Sequence, residues 1–390
     1  PGDDFDPRWV NDQIVFVSTR TGAPPALYDG SPTGQLATLD PATGRIVRLA
    51  YERNGLLDPR VDLVHQRLVW ARWWFNPWRS ARDGGVTRGV ADALAPDSVN
   101  QWQLVGAVAR RLPLRGPADL ADERLAAGGV ADRRAGMGVQ PAILPDGAIA
   151  AVFARNPGLA PRPGPIGVHR LPAGVGAGVR VGGAAIADSA ASPYAEGRNL
   201  AAPGMCAPAA LADGRLIVAA DPGARGDFGL WLLDRGGEPV LELVNLPGTL
   251  ELDPAPVVRR PPLRARPDAA VFDDWGATQR LFTYVNRDVF AGGEMPRTPG
   301  ARLRIYADRP GPAPGAPDTV GFVDDVPVGV DGGVSALLPA GVPLFEQLTD
   351  ADGRALLGAH GPAQVRGFNT GRAGVEARCV GCHLGHSAER

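Results

Sequence analysis

The sequence contains no lysine: its 40 basic side chains are all arginines, against 42 acidic ones. The formal net charge of -2 gives no electrostatic reason to expect binding to nucleic acid or to an anionic membrane. No apolar run is long enough to span a bilayer. Only three cysteines occur, which excludes a scaffold built on disulfides. The chain begins at Pro1, so we expect an export signal to lie upstream of it.

Glycine and proline are abundant, with 52 and 39 residues, and they follow no collagen-like period. They predict many turns and long loops. A polar turn followed by a strand-like apolar run recurs, which is a hairpin signal where the turn contains Asp-Gly. The copies are 11–17, 65–70, 146–152, 213–218 and a weaker one at 279–284. This recurrence predicts an all-β fold with a β-propeller-like domain and long loop insertions; a β-sandwich or several small β modules is the alternative.

The composition also predicts how the chain is divided. A proline-rich stretch after Arg309 resembles a linker, so the propeller-like domain is assigned to 1–309. A small β-sandwich-like module is assigned to 318–360, because strand-like runs there flank Asp331-Gly332. A haem-binding segment is assigned to 361–390. Helix is scarce, and Ala118 to Ala127 is the best candidate because acidic residues occupy its first turns.

One motif carries chemistry, the run Cys379-Val380-Gly381-Cys382-His383. Two thiols at this spacing can add to the two vinyl groups of haem, and the adjacent histidine is then placed to bind the iron. A zinc site that also uses His386 and a redox disulfide are the competing interpretations, but neither has its usual sequence context. The motif therefore predicts one covalent haem c on Cys379, Cys382 and His383. Because this attachment takes place outside the cytoplasm, it also predicts a periplasmic or extracellular protein.

The second axial ligand of the iron is left open by the sequence. His386 is too close to His383 to reach the opposite face of the ring. His360 is the nearest other candidate in sequence, and we take it as the possible distal ligand. Methionine or histidine would suit electron transfer, whereas an open position would suit ligand binding or catalysis. More distant candidates are Met137, Met205, Met295, His65 and His169.

Two further features have structural interpretations. The aromatic run of Trp70, Trp73, Trp74, Phe75 and Trp78 is expected to pack between strands or against a partner, with a sugar-binding platform as the alternative. Cys206 is expected to be a buried free thiol.

Several segments resemble the hydrazine-synthase α-subunit-like family. Val342 to Arg354 resembles a β module of that family, and Gly374 to His383 is similar to its first haem motif. Tyr284 to Phe290 and Leu303 to Tyr306 resemble its strands, and Asp6 to Arg20 resembles its TolB/WD40-like propeller blades. The resemblance implies a β-propeller with a C-terminal c-type haem. The family carries a second haem motif and an acidic residue after the first, whereas this sequence contains one motif, followed by Leu384.

These observations lead to three hypotheses of function. The first is a c-type cytochrome subunit that transfers electrons within a larger assembly, with a redox partner protein. The second is a haem enzyme that acts on small nitrogen compounds. The third is an accessory subunit of a multi-protein complex, in which the haem is structural.

Overall fold

The computed structural model describes most of the chain. The described residues are 2–22, 32–74, 78–81, 83–88, 101–127, 137–154, 166–170, 179–180, 204–223, 227–234, 239–267, 279–291, 295–309, 311, 316–358, 361–362 and 371–379. They form 26 β-strands and one 3-10 turn, Pro117–Asp119. No helix among them is long and apolar enough to cross a membrane. The predicted all-β fold is confirmed.

Four antiparallel sheets of four strands follow one another along the chain, and we call them blades 1 to 4. Blade 1 contains β1 Asp4–Val10, β2 Gln13–Ser18, β3 Gln35–Asp40 and β4 Arg45–Arg48. Blade 2 contains β5 Leu56–Asp62, β6 Arg67–Trp74, β9 Gln101–Ala109 and β10 Leu120–Ala127, with a hairpin of β7 Trp78–Ser80 and β8 Val86–Arg88 inserted. Blade 3 contains β11 Met137–Ile143, β12 Ile149–Ala154, β13 Ile166–Arg170 and β14 Val179–Arg180. Blade 4 contains β15 Gly204–Ala210, β16 Leu216–Asp221, β17 Gly229–Leu233 and β18 Pro239–Val244.

The predicted hairpin turns lie between the first and second strands of the blades. In blades 3 and 4, Gly147 and Gly214 adopt φ values of 82° and 84°, which favour glycine. The aspartate before each glycine closes the turn, because Asp146 Oδ1 accepts a hydrogen bond from the Ala148 N–H at 3.1 Å and Asp213 does the same for Arg215. The second strands that follow are nearly fully buried. This local chemistry explains why the recurring theme was visible in the sequence.

The first strands β1, β5, β11 and β15 contact one another in chain order, as the inner strands of a propeller do. Each is interrupted by a β-bulge at a residue with positive φ that precedes a proline. An inner strand pairs on one edge only, so proline is tolerated there. An extended segment, residues 251–260, repeats the same pattern. The positive-φ residues are Asp6, Asp58, Gln140, Ala207 and Asp253.

These bulge residues connect neighbouring blades. The Asp58 N–H donates to Asp6 Oδ2 at 3.1 Å, and the Gln140 N–H donates to Asp58 Oδ2 at 2.9 Å. The Ala207 N–H in turn donates to Gln140 Oε1 at 2.9 Å. Each side chain therefore satisfies a backbone donor of the following blade that the bulge has taken out of its own sheet. We call this series the bulge ladder.

Two three-stranded sheets follow the blades and pack face to face. One has the order β22-β19-β26 and the other β21-β20-β23. Their shared core contains Phe282, Leu303, Ile305 and Leu348, as expected for a small β-sandwich. The strands are β19 Leu281–Asn286, β20 Arg302–Arg309, β21 Thr319–Pro327, β22 Val334–Pro339, β23 Leu344–Thr349 and β26 Glu376–Cys379, with a short pair β24 Leu357–Gly358 and β25 Gly361–Pro362.

The sandwich includes strands from both sides of the proline-rich stretch. β20 and β21 are antiparallel neighbours, so Arg309 pairs with Thr319. The stretch therefore connects two adjacent strands of one sheet. The domain limits given by the sequence stay a prediction.

One secondary-structure prediction is wrong. Residues 120–127 form strand β10 and not a helix, and only Pro117–Asp119 adopts a 3-10 turn. β10 pairs with β9, and the buried Leu120 lies in the core shared by blades 1 and 2. Pairing with the edge of a sheet has overridden a weak local helix preference.

The sandwich docks on blades 1 and 2 through its sheet β21-β20-β23. Phe345 and Tyr306 stack with centroids 5.4 Å apart, and Trp78 of the inserted hairpin stacks on Phe345 at 6.1 Å. Beside them, Arg53 from the connection between β4 and β5 pairs with Asp308 and Asp318. β23 is thus covered on both faces, because Leu344 and Leu348 face the sandwich core while Phe345 faces the blades.

Part of the aromatic run and the third cysteine have the predicted structural roles. Trp70 is fully buried in the core of blades 1 and 2, and Trp78 lies in the docking interface. Cys206 is buried and free, and burial raises the pKa of its thiol to about 12. Such a thiol is unreactive at neutral pH. Packing is therefore sufficient to explain Trp70, Trp78 and Cys206, whereas Phe75 and the side chain of Trp74 lie outside the described residues.

Candidate haem-attachment site

The predicted attachment motif begins where the sandwich ends. Cys379 is the last residue of β26. Cys382, His383 and His386 lie outside the described residues, and so does the possible distal ligand His360. The structure therefore locates the start of the motif, while the contacts of its thiols and imidazole stay predictions.

Strand β26 is the edge strand of its sheet and runs parallel to β19. Thr283 pairs with Glu376, and Asn286 pairs with Cys379. The strand forms because its residues alternate: Val375 is buried and Ala377 packs against the sandwich core. Arg378 on the opposite face pairs with Glu376. The motif is thus attached to a folded sheet at its first cysteine.

A buried polar group lies inside the sandwich near this strand end. The Asn286 Nδ2 atom donates a hydrogen bond to the Tyr284 hydroxyl at 3.3 Å, and both side chains are 1% exposed. Tyr284 in turn hydrogen-bonds to Glu346 of β23. Burial raises the pKa of Glu346 to about 7, although the hydrogen bond from Tyr284 opposes this change. The sandwich core therefore contains a carboxyl group that titrates near neutral pH.

Glu346 was missed by the sequence analysis, although a signal was present. It stands between Leu344 and Leu348 in a strand whose six residues are all buried. A glutamate at an apolar position of an alternating strand indicates a buried, partnered carboxyl group.

The more distant candidates for the second axial position have other surroundings. Met295 is buried in the sandwich core, and Met205 packs against the core shared by blades 2, 3 and 4. His65 occupies the turn between β5 and β6, where its Nδ1 lies 2.8 Å from Asp62 Oδ2. Met137 and His169 lie in β11 and β13, but their side chains are outside the described part. His65 thus has a structural partner in its own turn.

Other metal chemistry finds no support in the described residues. No group of three or more His, Cys, Asp or Glu side chains within that part of the chain could hold a metal ion. Asp325, half of the acidic pair at 324–325, is bound by Arg302 at 2.8 Å. The donor set of the motif itself, two thiols and an adjacent imidazole, fits covalent haem attachment.

Comparison with known proteins gives a shared fold. No protein-family model matches the chain, and no curated protein matches its sequence. Hydrazine synthase from Kuenenia stuttgartiensis matches 96% of this chain with a TM-score of 0.62 and 15% identity, and the match covers 52% of that chain. The match with TolB from Acinetobacter baumannii covers 94% of this chain and 66% of the TolB chain, with 10% identity and a TM-score of 0.31. The match with a puromycin-hydrolysing peptidase from Mycobacterium tuberculosis covers 92% of this chain and 52% of the peptidase chain, with 13% identity and a TM-score of 0.27. The chain therefore shares the fold of about half of the hydrazine synthase chain.

Proposed function

We propose that this chain is a c-type cytochrome subunit that carries one covalent haem c and transfers electrons within a larger periplasmic or extracellular assembly. Cys379 and Cys382 hold the ring through thioether bonds, and His383 binds the iron. The observation that carries the proposal is the spacing of these three residues, the first of which ends β26. Haem supplies a one-electron redox centre when bound. The chain supplies the attachment, the axial ligand and a rigid all-β support.

The attachment is tested with the full chain, exported in a bacterium that matures c-type cytochromes. The wild type is expected to give a pyridine haemochrome with one haem c per chain, and the haem should resist extraction by acidified acetone. Cys379→Ala/Cys382→Ala should lose all covalent haem, because no thioether can form. Cys206→Ala is the control, since that thiol is buried in blade 4, and it should keep the haem. Wild-type protein without haem after maturation would refute the proposal.

A second candidate function is a haem enzyme that acts on small nitrogen compounds. The observation that favours it is the fold shared with hydrazine synthase, at 15% identity. The two candidates differ at the second axial position of the iron. Electron transfer uses two protein ligands, whereas catalysis uses an open face.

The spin state of the iron separates these candidates. For electron transfer we expect a low-spin, six-coordinate spectrum that cyanide does not change at micromolar concentration. His360→Ala should then convert the iron to a high-spin form that binds cyanide. His65→Ala is the matched control, because that imidazole is held by Asp62 in blade 2, and it should leave the spectrum unchanged. A high-spin wild type that binds cyanide would favour the enzyme.

A further inference from the structure

A cavity of about 390 Å³ lies between the first strands of the blades. Its described walls come from β5, β11 and β15, from the turns that follow them, and from the extended segment after Asp253. Arg8 of β1 completes the lining. The volume falls within the range of small-molecule sites, at its lower end. We call it the inner-strand cavity.

The bulge pattern explains why there is space. The second residue after each bulge residue is Arg8 in blade 1 and Arg60 in blade 2, but alanine at the other three places. The long arginine side chains thus line the cavity on one side, while the small alanine side chains leave space on the other. The three alanines are Ala142, Ala209 and Ala255, and all of them line the cavity.

The charges around the cavity are unbalanced. Four arginines line it, Arg8, Arg60, Arg259 and Arg260, whereas Asp253 is the one carboxylate in its described lining. In the part of the chain that the structure describes, the guanidinium groups of Arg8 and Arg60 form no ion pair. Each donates instead to the carbonyl of the preceding proline, at 2.8 Å and 3.0 Å. Two cations are therefore available at the wall.

The surroundings of Arg60 also favour an anion in the cavity. Burial lowers the pKa of this guanidinium, and the nearby charge of Arg8 lowers it further. Asp58, Asp6 and Asp253 act in the opposite direction but do not cancel the effect. Asp6 and Asp58 already accept backbone hydrogen bonds of the bulge ladder, so an anion placed between Arg8 and Arg60 would give the two guanidinium groups an acceptor of their own.

We propose that the inner-strand cavity binds a small organic carboxylate. Arg8 and Arg60 receive the carboxylate group, since a planar guanidinium offers paired donors that match its two oxygens. The apolar part of the ligand lies against Val61, Leu144 and Val258 of the same lining. Inorganic oxyanions share the charge but cannot use this apolar wall. No described residue of strand β26 lines the cavity, and the proposed binding does not require haem.

The test uses the full chain and benzoate as the probe, measured by isothermal titration calorimetry at low, constant ionic strength. Benzoate should bind, while benzyl alcohol, the neutral analogue, should not. Arg60→Gln and Arg8→Gln should each weaken benzoate binding at least tenfold, because each removes a charge-assisted contact. Ala255→Leu should weaken benzoate binding because it adds a bulky side chain to the cavity wall while all four arginines remain. Inorganic phosphate should bind more weakly than benzoate.

Controls keep the result interpretable. Arg354→Gln removes an exposed arginine that pairs with Asp352 away from the cavity, and it should leave benzoate binding unchanged. Thermal unfolding of every variant checks that the fold is retained. Absence of benzoate binding to the wild type, or equal binding by wild type, Arg60→Gln and Ala255→Leu, would overturn the proposal. Binding of phosphate but not benzoate would overturn the assignment to an organic carboxylate.

Discussion

Replacing Arg53 by alanine is expected to lower the free energy of unfolding by about 3–5 kcal/mol. Arg53 is 2% exposed, and its Nη2 lies 2.9 Å from Asp318 Oδ2 while its Nε donates to Asp308. Asp308 also accepts a hydrogen bond from Trp78 Nε1 at 2.9 Å. Without Arg53 these carboxylates stay buried between the blades and the sandwich, where burial already raises the pKa of Asp308. An uncompensated buried charge makes the loss large.

Urea unfolding of the full chain at pH 7 measures this effect. Arg354→Ala is the matched control, since Arg354 and Asp352 are 2.9 Å apart but 69% and 72% exposed, and such surface pairs contribute about 0–1 kcal/mol. Arg53→Ala/Asp308→Asn should recover part of the loss, because it removes one of the unpaired charges. A loss for Arg53→Ala no larger than for the control would contradict the buried network.

Replacing Glu346 by glutamine is expected to raise stability at alkaline pH. The folded chain holds the Glu346 proton up to a pKa of about 7, whereas the usual value is 4.5. Between these values the folded state binds more protons than the unfolded state, so stability falls as pH rises through this window. The loss is complete above pH 7 and amounts to about 3 kcal/mol. Glutamine removes the buried charge and with it this loss.

The measurement compares urea unfolding of wild type and Glu346→Gln between pH 4 and pH 8. The two should be nearly equal at pH 4, and the variant should be more stable by about 3 kcal/mol at pH 8. Asp58, whose pKa burial raises to about 6, also makes stability fall with rising pH, but it does so in both proteins and cancels in the difference. Glu242→Gln, the same change at an exposed position of β18, is the control for the substitution itself. A difference that does not vary with pH would refute the assignment.

Local signals predicted the repeated elements well. The second strands were predicted because Asp-Gly turns and apolar runs are encoded within a dozen residues. The fifth copy at 279–284 does contain a strand, β19, but that strand belongs to the sandwich and not to a blade. A local pattern predicts a strand without stating which sheet receives it. The inner strands were missed because proline at the bulges interrupts their apolar pattern, although the recurrence of proline after the bulge residue was itself a signal.

Long-range contacts could not be predicted. Arg53 and Asp308 are 255 residues apart, and neither neighbourhood indicates a partner. The unpaired arginines of the inner-strand cavity depend on alanines from three other segments. The predicted attachment motif is the opposite case, because the prediction rests on five consecutive residues and on no long-range contact. The haem itself stays a prediction.

The bulge ladder has a direction that bears on how the molecule is built. In each of its three bonds the acceptor side chain belongs to the earlier blade and the donor N–H to the later one. Because the chain is synthesised from its N-terminus, each new blade meets an acceptor that is already in place. This order suits assembly of the blades in the order of their synthesis. The series stops at Ala207, whose methyl group cannot accept a hydrogen bond. The segment 251–260 is followed by Leu263, whose backbone N–H and carbonyl form paired hydrogen bonds with the Asn11 side chain, so the chain returns after blade 4 to the first blade to be made.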